Sequence, residues 1–152
     1  MSHVNLIAAD KELPLCDRQE FRESPSAVPG SEPIMIGFTC GFIVAPHEYY
    51  RYAVDNLSIE MRPFQYALDF QVCQTDLDHL LAYLRENFAP GEEVELWSLW
   101  VGSGAGNTRH YRGKLSEFDL DTLGMLYEIQ REPDLTGEFD DLFCQVCLTV
   151  EI

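Results

Sequence analysis

The chain has 152 residues and a net charge of -16, from 26 acidic and 10 basic residues, yet 46% of its residues are hydrophobic and 12% are aromatic. Chains that stay unfolded combine high charge with low hydrophobicity, so this composition predicts a folded domain that carries its charge on the surface. It disfavours nucleic acid and anionic membranes as partners, because their phosphates would repel the chain, and it favours a cationic partner.

At this length the chain fits a single domain over residues 1–152, which buries about 68–70% of the surface that the unfolded chain exposes. Its start lacks the basic region and long apolar run of a signal peptide, and the longest mainly apolar stretch, 33–46, is too short to span a bilayer. An odd number of cysteines in apolar segments is typical of buried free thiols in a reducing compartment. They are Cys16, Cys40, Cys73, Cys144 and Cys147. We therefore expect a cytoplasmic protein.

The residue pattern in the first half of the chain predicts mainly strands. Residues 3–9 form a short strand, and 34–45 is a near-continuous apolar run typical of a strand buried on both faces. Between them, 10–33 is polar and ends in a segment with three prolines, which predicts irregular structure. Residues 47–57 fit either a strand or a short helix. In 64–72 apolar and polar residues alternate, which makes this the clearest strand of the chain.

The next segments predict a helix and a long strand. Residues 75–78 (Thr-Asp-Leu-Asp) resemble a capping box, and the leucines that follow at helical spacing predict a helix that stops at Pro90. The strand 93–101 begins with alternation and becomes apolar throughout. Because Trp97 and Trp100 are three residues apart in this strand, their side chains must point to opposite faces of the sheet.

The C-terminal segments complete a predicted α+β fold. A second cap at 116–119 begins an amphipathic helix over 120–130, and 141–152 closes the chain as a strand rich in β-forming residues. The predicted order of elements in the second half is therefore β-α-β-α-β. Two helices can cover one sheet face, and the first half adds further strands. We predict a single layered domain with a mixed or antiparallel sheet and two main helices.

No catalytic or metal-binding motif is recognisable. The glycine-rich loop 102–107 does not lead directly into a helix, as a phosphate loop would, and is best interpreted as a surface loop or hairpin. Cys144 and Cys147 have the spacing of half a zinc or redox site, but three residues apart in a strand they face opposite sides. The histidines show no ligand spacing: His3, His47, His79 and His110. We expect no metal, no cofactor and no catalytic residue, and we favour a protein that is not an enzyme.

The only local basic cluster lies in the segment 109–114. It either pairs with the acidic segment that follows or, in an alternative interpretation, lines a pocket near the 102–114 loop. In that alternative the protein binds a small molecule or an anion and could be an enzyme. The residues that would hold the anion are Arg109, His110 and Arg112.

Acidic residues dominate the chain after residue 116, and most are typical of a solvated face. Four are clustered on a predicted turn where they could complement a basic partner: Asp134, Glu138, Asp140 and Asp141. Charge at an interface mainly speeds and selects encounter, so an aromatic anchor is also required. The candidates for that anchor are Trp100, Tyr111, Tyr49, Tyr50 and Tyr52.

The run 95–102 (Glu-Leu-Trp-Ser-Leu-Trp-Val-Gly), followed by a polar loop, an acid-capped helix at 119–130 and a closing strand, resembles small bacterial immunity proteins. Such proteins neutralise the toxins of polymorphic or contact-dependent systems. The resemblance covers the C-terminal part of the chain and implies a non-catalytic inhibitor that covers the active site of a toxin. It transfers no toxin-contacting residue, because those residues vary with the toxin.

The leading hypothesis is therefore an acidic protein-binding module that inhibits a cationic toxin or nuclease. A toxin nuclease must attract phosphate and tends to be basic, which suits an antidote of charge -16. A third interpretation is a homo-oligomer whose copies pair through an exposed strand at 143–152.

Overall fold

The computed structural model describes residues 2–24, 30, 34–102, 107–127 and 144–152. Within these ranges it contains a seven-stranded mixed sheet and three α-helices, which confirms the predicted α+β class. The strands are β1 (Ser2–Ala9), β2 (Cys16–Ser24), β3 (Ile34–Pro46), β4 (Phe64–Asp69), β5 (Glu93–Val101), β6 (Thr108–Lys114) and β7 (Gln145–Glu151). The helices are α1 (Arg51–Asp55), α2 (Gln74–Asn87) and α3 (Leu120–Met125), with a short 3-10 helix at Leu115–Glu117. None of the described helices is long and apolar enough to cross a membrane.

The strand order in the sheet is β2-β3-β4-β1-β5-β7-β6. Neighbouring strands are antiparallel except β6 and β7, which are parallel. At the centre, Leu6 of β1 lies between Ala67 of β4 and Trp97 of β5. The first half of the chain therefore builds one wing of the sheet and the second half builds the other, with β1 between them.

The sheet is covered on both faces, because side chains alternate along each strand. One face, which we call the α2 face, is covered by α2 and α3, and its core includes Ile7, Leu68, Leu96 and Leu148. The opposite face, which we call the α1 face, is covered by α1 and the segment 57–61, and its smaller core includes Leu6, Trp97, Leu99 and Cys147. As predicted, the two tryptophans lie on opposite faces, since Trp100 stands edge-on to His3 outside the α1-face core.

Helix α2 is attached to the sheet by a buried carboxylate. Its N-cap is Cys73, without a side-chain cap, so the predicted capping box at 75–78 is wrong. Asp76 is fully buried and accepts backbone N–H groups from Gly41, at 3.0 Å, and from Gln71, at 2.7 Å. Asp76, an inner residue of the predicted box, thus joins the helix to β3 and to the chain beyond β4.

Two strands lie where the sequence predicts other structure. β2 occupies Cys16–Ser24 within the segment 10–33 expected to be irregular, and β6 occupies Thr108–Lys114 within an expected loop. Both are edge strands with one neighbour each, so polar side chains can reach solvent. β7 lies between β5 and β6, and the interpretation of 143–152 as an exposed strand is therefore wrong.

Helix α3 begins as predicted and ends early. The Asp119 carboxylate accepts the Thr122 backbone N–H at 2.9 Å, which confirms the acid cap. The helix ends at Met125 because the next two N–H groups bond three residues back, to Leu123 and Gly124, which tightens the last turn. The rest of the predicted helix, 128–130, lies outside the described residues.

Candidate functional site

A cleft of about 780 Å³ opens on the α1 face, between the segment 57–63 and strand β6. Its charged or titratable lining residues are Asp10, Glu60, Arg62, Glu95 and His110. We call it the acidic cleft, because carboxylates are the commonest of these groups. It lies within the size range of small-ligand sites and is also wide enough to admit a long side chain from a partner protein.

Arg62 organises the carboxylates around the acidic cleft. Its guanidinium bonds to Asp10 and, from Nη2, to Oε2 of Glu93 at 2.9 Å. Arg112 of β6 binds the same Glu93 in a bidentate contact, with Nη2 at 3.3 Å from Oε2. The hydrogen bond from Arg112 and the nearby charge of Arg62 hold the pKa of Glu93 below its usual range. Both guanidinium groups are thus already engaged by the protein's own carboxylates.

Glu95 is a carboxylate of the cleft that is held by neutral groups. One of its oxygens accepts the backbone N–H of Arg62 at 2.9 Å and the indole N–H of Trp97 at 3.4 Å. Among the described residues, no Lys or Arg side chain forms a salt bridge with it. The half-buried Glu95 is therefore oriented by neutral donors, and it can still accept a cation from outside.

Cys147 is buried in the α1-face core next to Glu95 of the cleft. Its Sγ is 4.0 Å from Oε2 of Glu95. Burial, together with the charge of Glu95, raises the pKa of the Cys147 thiol to about 12. As predicted, Cys144 and Cys147 pack on opposite faces, in the α2-face and α1-face cores respectively. In the described part of the chain, no group of three His, Cys, Asp or Glu side chains is placed to hold a metal ion.

The three residues of the predicted anion site do not converge. They lie close together along β6, where successive side chains point to opposite faces of the sheet. Arg109 therefore lies on the α2 face, level with Val146. His110 and Arg112 lie on the α1 face, where the His110 ring is 6.1 Å from that of Trp97 and Arg112 is bonded to Glu93.

The predicted partner-binding residues are only partly within the described structure. The acidic cluster Asp134, Glu138, Asp140 and Asp141 lies outside the described residues. Trp100 is half-buried near one end of β5, and Tyr111 is 42% exposed on β6, level with Leu148. These two rings are separated by β7 and, along the strand direction alone, by four residues or roughly 13 Å, so they do not form one anchor.

Sequence reasoning named His110 as a candidate site residue but missed the carboxylates and the arginine that build the acidic cleft. Glu93 and Glu95 alternate with Val94 and Leu96 at the start of β5, and this pattern alone places both carboxylates on one face of the strand. Arg62 carried no comparable signal, because it reaches Glu93 through an irregular segment whose path depends on the rest of the fold.

The fold and the cleft together define an α+β domain with a polar, carboxylate-rich concavity beside an edge strand. Comparison with known protein families, with curated proteins and with solved structures found no match for this chain. A functional assignment therefore depends on the residues themselves.

Proposed function

We propose that this protein is a non-catalytic binding protein whose partner is a basic protein, most specifically an immunity-type inhibitor of a cationic toxin or nuclease. The observation that carries the proposal is the charge arrangement at the acidic cleft. Arg62 and Arg112 are neutralised by Asp10 and Glu93, whereas Glu95 has no cationic partner among the described residues. The cleft therefore offers carboxylate charge to an incoming cation, in a chain whose net charge is -16.

Such a surface suits rapid and selective capture of a basic protein. Complementary charge raises the association rate and rejects anionic competitors, and the effect weakens with added salt. Arg62 holds Asp10 and Glu93 in place before the partner arrives, which lowers the entropy lost on binding. Exposed tyrosines are available for contacts at the rim, since Tyr52 is 80% exposed on α1 and Tyr111 is 42% exposed on β6.

The test combines recovery of the partner with paired charge variants. Tagged protein is incubated with lysate of the native host and eluted along a salt gradient. We expect one stoichiometric basic protein that is released by salt. The variant Glu60→Gln/Glu95→Gln should capture it much less, while the control Asp78→Asn/Glu86→Gln, with the same change in charge on the exposed surface of α2, should retain it. Equal capture by both variants, or retention that salt does not affect, would contradict the proposal.

The alternative of an anion site on β6 has its own test. It requires Arg109 and Arg112 to hold one ligand, although they lie on opposite faces and Arg112 is bonded to Glu93. If the alternative were correct, phosphate or a nucleotide would raise the melting temperature, and Arg109→Ala/Arg112→Ala would abolish the rise. We expect no rise in melting temperature with these ligands.

A further inference from the structure

The sheet is split between β1 and β4. These strands pair only between residues 6–9 and 64–67. Closer to its N-terminus β1 pairs with β5 alone, and at its C-terminal end β4 pairs with β3 alone. A second cleft of about 810 Å³ occupies this opening, and we call it the gap cleft. Its size is that of a small-molecule site.

The split has a local cause in the chain that follows β4. Asp76 of α2 accepts the backbone N–H of Gln71 at 2.7 Å, and the Cys73 N–H bonds back to the Gln71 carbonyl at 3.0 Å. These bonds turn the chain towards α2 two residues after β4 ends. On the other side, Asn5 of β1 donates to the carbonyls of Trp97 and Leu126. Each strand is thus held by contacts away from the opening.

Aromatic rings flank the gap cleft on both faces of the sheet. On the α1 face, the rings of Tyr49 and Tyr50 meet edge to face at 4.7 Å. On the α2 face, Phe70 and Tyr127 are 6.1 Å apart. Aromatic faces attract cations as well as apolar groups, and Tyr49 is 89% exposed, which leaves its ring accessible to a ligand.

The lining of the gap cleft also includes the carboxyl group of Asp69, on the same face of the sheet as Tyr49 and Tyr50. The Asp69 side chain is exposed and, among the described residues, forms no hydrogen bond or ion pair, while partial desolvation raises the pKa of its carboxyl group. The described lining of the gap cleft contains no Lys or Arg, and its other titratable side chains are His3, Tyr49, Tyr50 and Tyr127. A partly desolvated carboxylate is stabilised when a cation pairs with it, and no Lys or Arg of the described lining does so here.

We infer that the gap cleft binds a small organic cation, a protonated amine carried on an aromatic or aliphatic body. Its ammonium group would contact Asp69, and its body would lie against the tyrosines. Asn5, Gln19 and Gln71 line the same space and offer neutral hydrogen-bonding groups to the remainder of the ligand. This site is separate from the acidic cleft, so the inference does not depend on the proposed function.

The test is a set of NMR titrations with probes of the same shape and different charge. Isotope-labelled protein is titrated at neutral pH with 2-phenylethylamine, with the neutral 2-phenylethanol and with the anionic phenylacetate. We expect saturable shifts for the amine alone, centred on the amides of Val4, Ala67 and Asp69. Equal binding of the alcohol, or shifts centred elsewhere, would overturn the inference from the wild-type protein without any variant.

Two charge variants complete the experiment. Asp69→Asn should weaken amine binding about tenfold or more, the effect expected from loss of one charge-assisted hydrogen bond. Asp78→Asn removes the same charge from exposed α2 and should leave the dissociation constant within about twofold, as should Glu60→Gln/Glu95→Gln in the acidic cleft. Unchanged amine binding by Asp69→Asn would refute the assignment.

Discussion

Replacement of Asp76 with Ala should destabilise the fold more than removal of any exposed carboxylate. The Asp76 carboxylate is fully buried and accepts hydrogen bonds from two backbone N–H groups, those of Gly41 and Gln71. A hydrogen bond to a charged group contributes about 1.5–3 kcal/mol, and a buried donor left unpaired costs a similar amount. Because removal of the buried charge recovers part of its desolvation cost, we expect a net loss of about 3–5 kcal/mol in the free energy of unfolding.

Urea denaturation followed by tryptophan fluorescence measures this loss. Asp78→Ala is the matched control, since Asp78 lies on the same helix and bonds only to exposed Gln74, and it should change stability by about 0.5 kcal/mol or less. Asp76→Asn retains one acceptor oxygen and should fall between the two. If Asp76→Ala and Asp78→Ala unfold within about 1 kcal/mol of each other, the carboxylate does not hold α2 to the sheet.

Three further predictions concern buried polar groups. The side chain of buried Gln145 accepts the backbone N–H of Trp100 at 2.7 Å and donates to its carbonyl at 2.9 Å. Gln145→Leu should therefore lower the free energy of unfolding, measured by urea denaturation, by about 2–4 kcal/mol. A loss below about 1 kcal/mol would contradict this role. Burial and the charge of Arg51 lower the pKa of His47, so the unfolded state binds more protons below about pH 6.5 and stability should fall as the pH drops from about 7.5 to 5.5. His47→Gln should flatten that slope, and an unchanged slope would assign it to other groups. The Cys147 thiol, with its pKa of about 12, should react with a thiol reagent at neutral pH only after unfolding, and peptide mapping of labelled native protein would reveal any exception.

The strands and helices that were predicted correctly are those whose pattern is set by burial. Leu77, Leu80 and Leu84 face the core at helical spacing, and the apolar run of β5 reflects cover on both faces of the sheet. β2 and β6 lack such a signal, because an edge strand can carry polar residues on both sides and depends on a distant partner for its hydrogen bonds.

The clefts were less predictable than the fold. The alternation of Glu93 and Glu95 reveals one row of carboxylates, but their engagement by Arg62 joins residues about 30 positions apart through an irregular segment. The gap cleft depends on where the pairing of β1 with β4 ends, and that end point is decided by contacts of Asp76 with two other segments. Local periodicity contains no information about such non-local registers.

The position of β7 constrains the order in which the sheet can form. β5 and β6 are close in sequence but do not pair with each other, because β7 lies between them. Until β7 is in place, β6 has no strand beside it, and β5 presents an open edge with the sequence Glu-Leu-Trp-Ser-Leu-Trp-Val. An apolar edge of this kind is a template for intermolecular β-pairing. Insertion of β7 thus closes an apolar edge of the folding chain, and slow insertion would limit the yield of soluble protein.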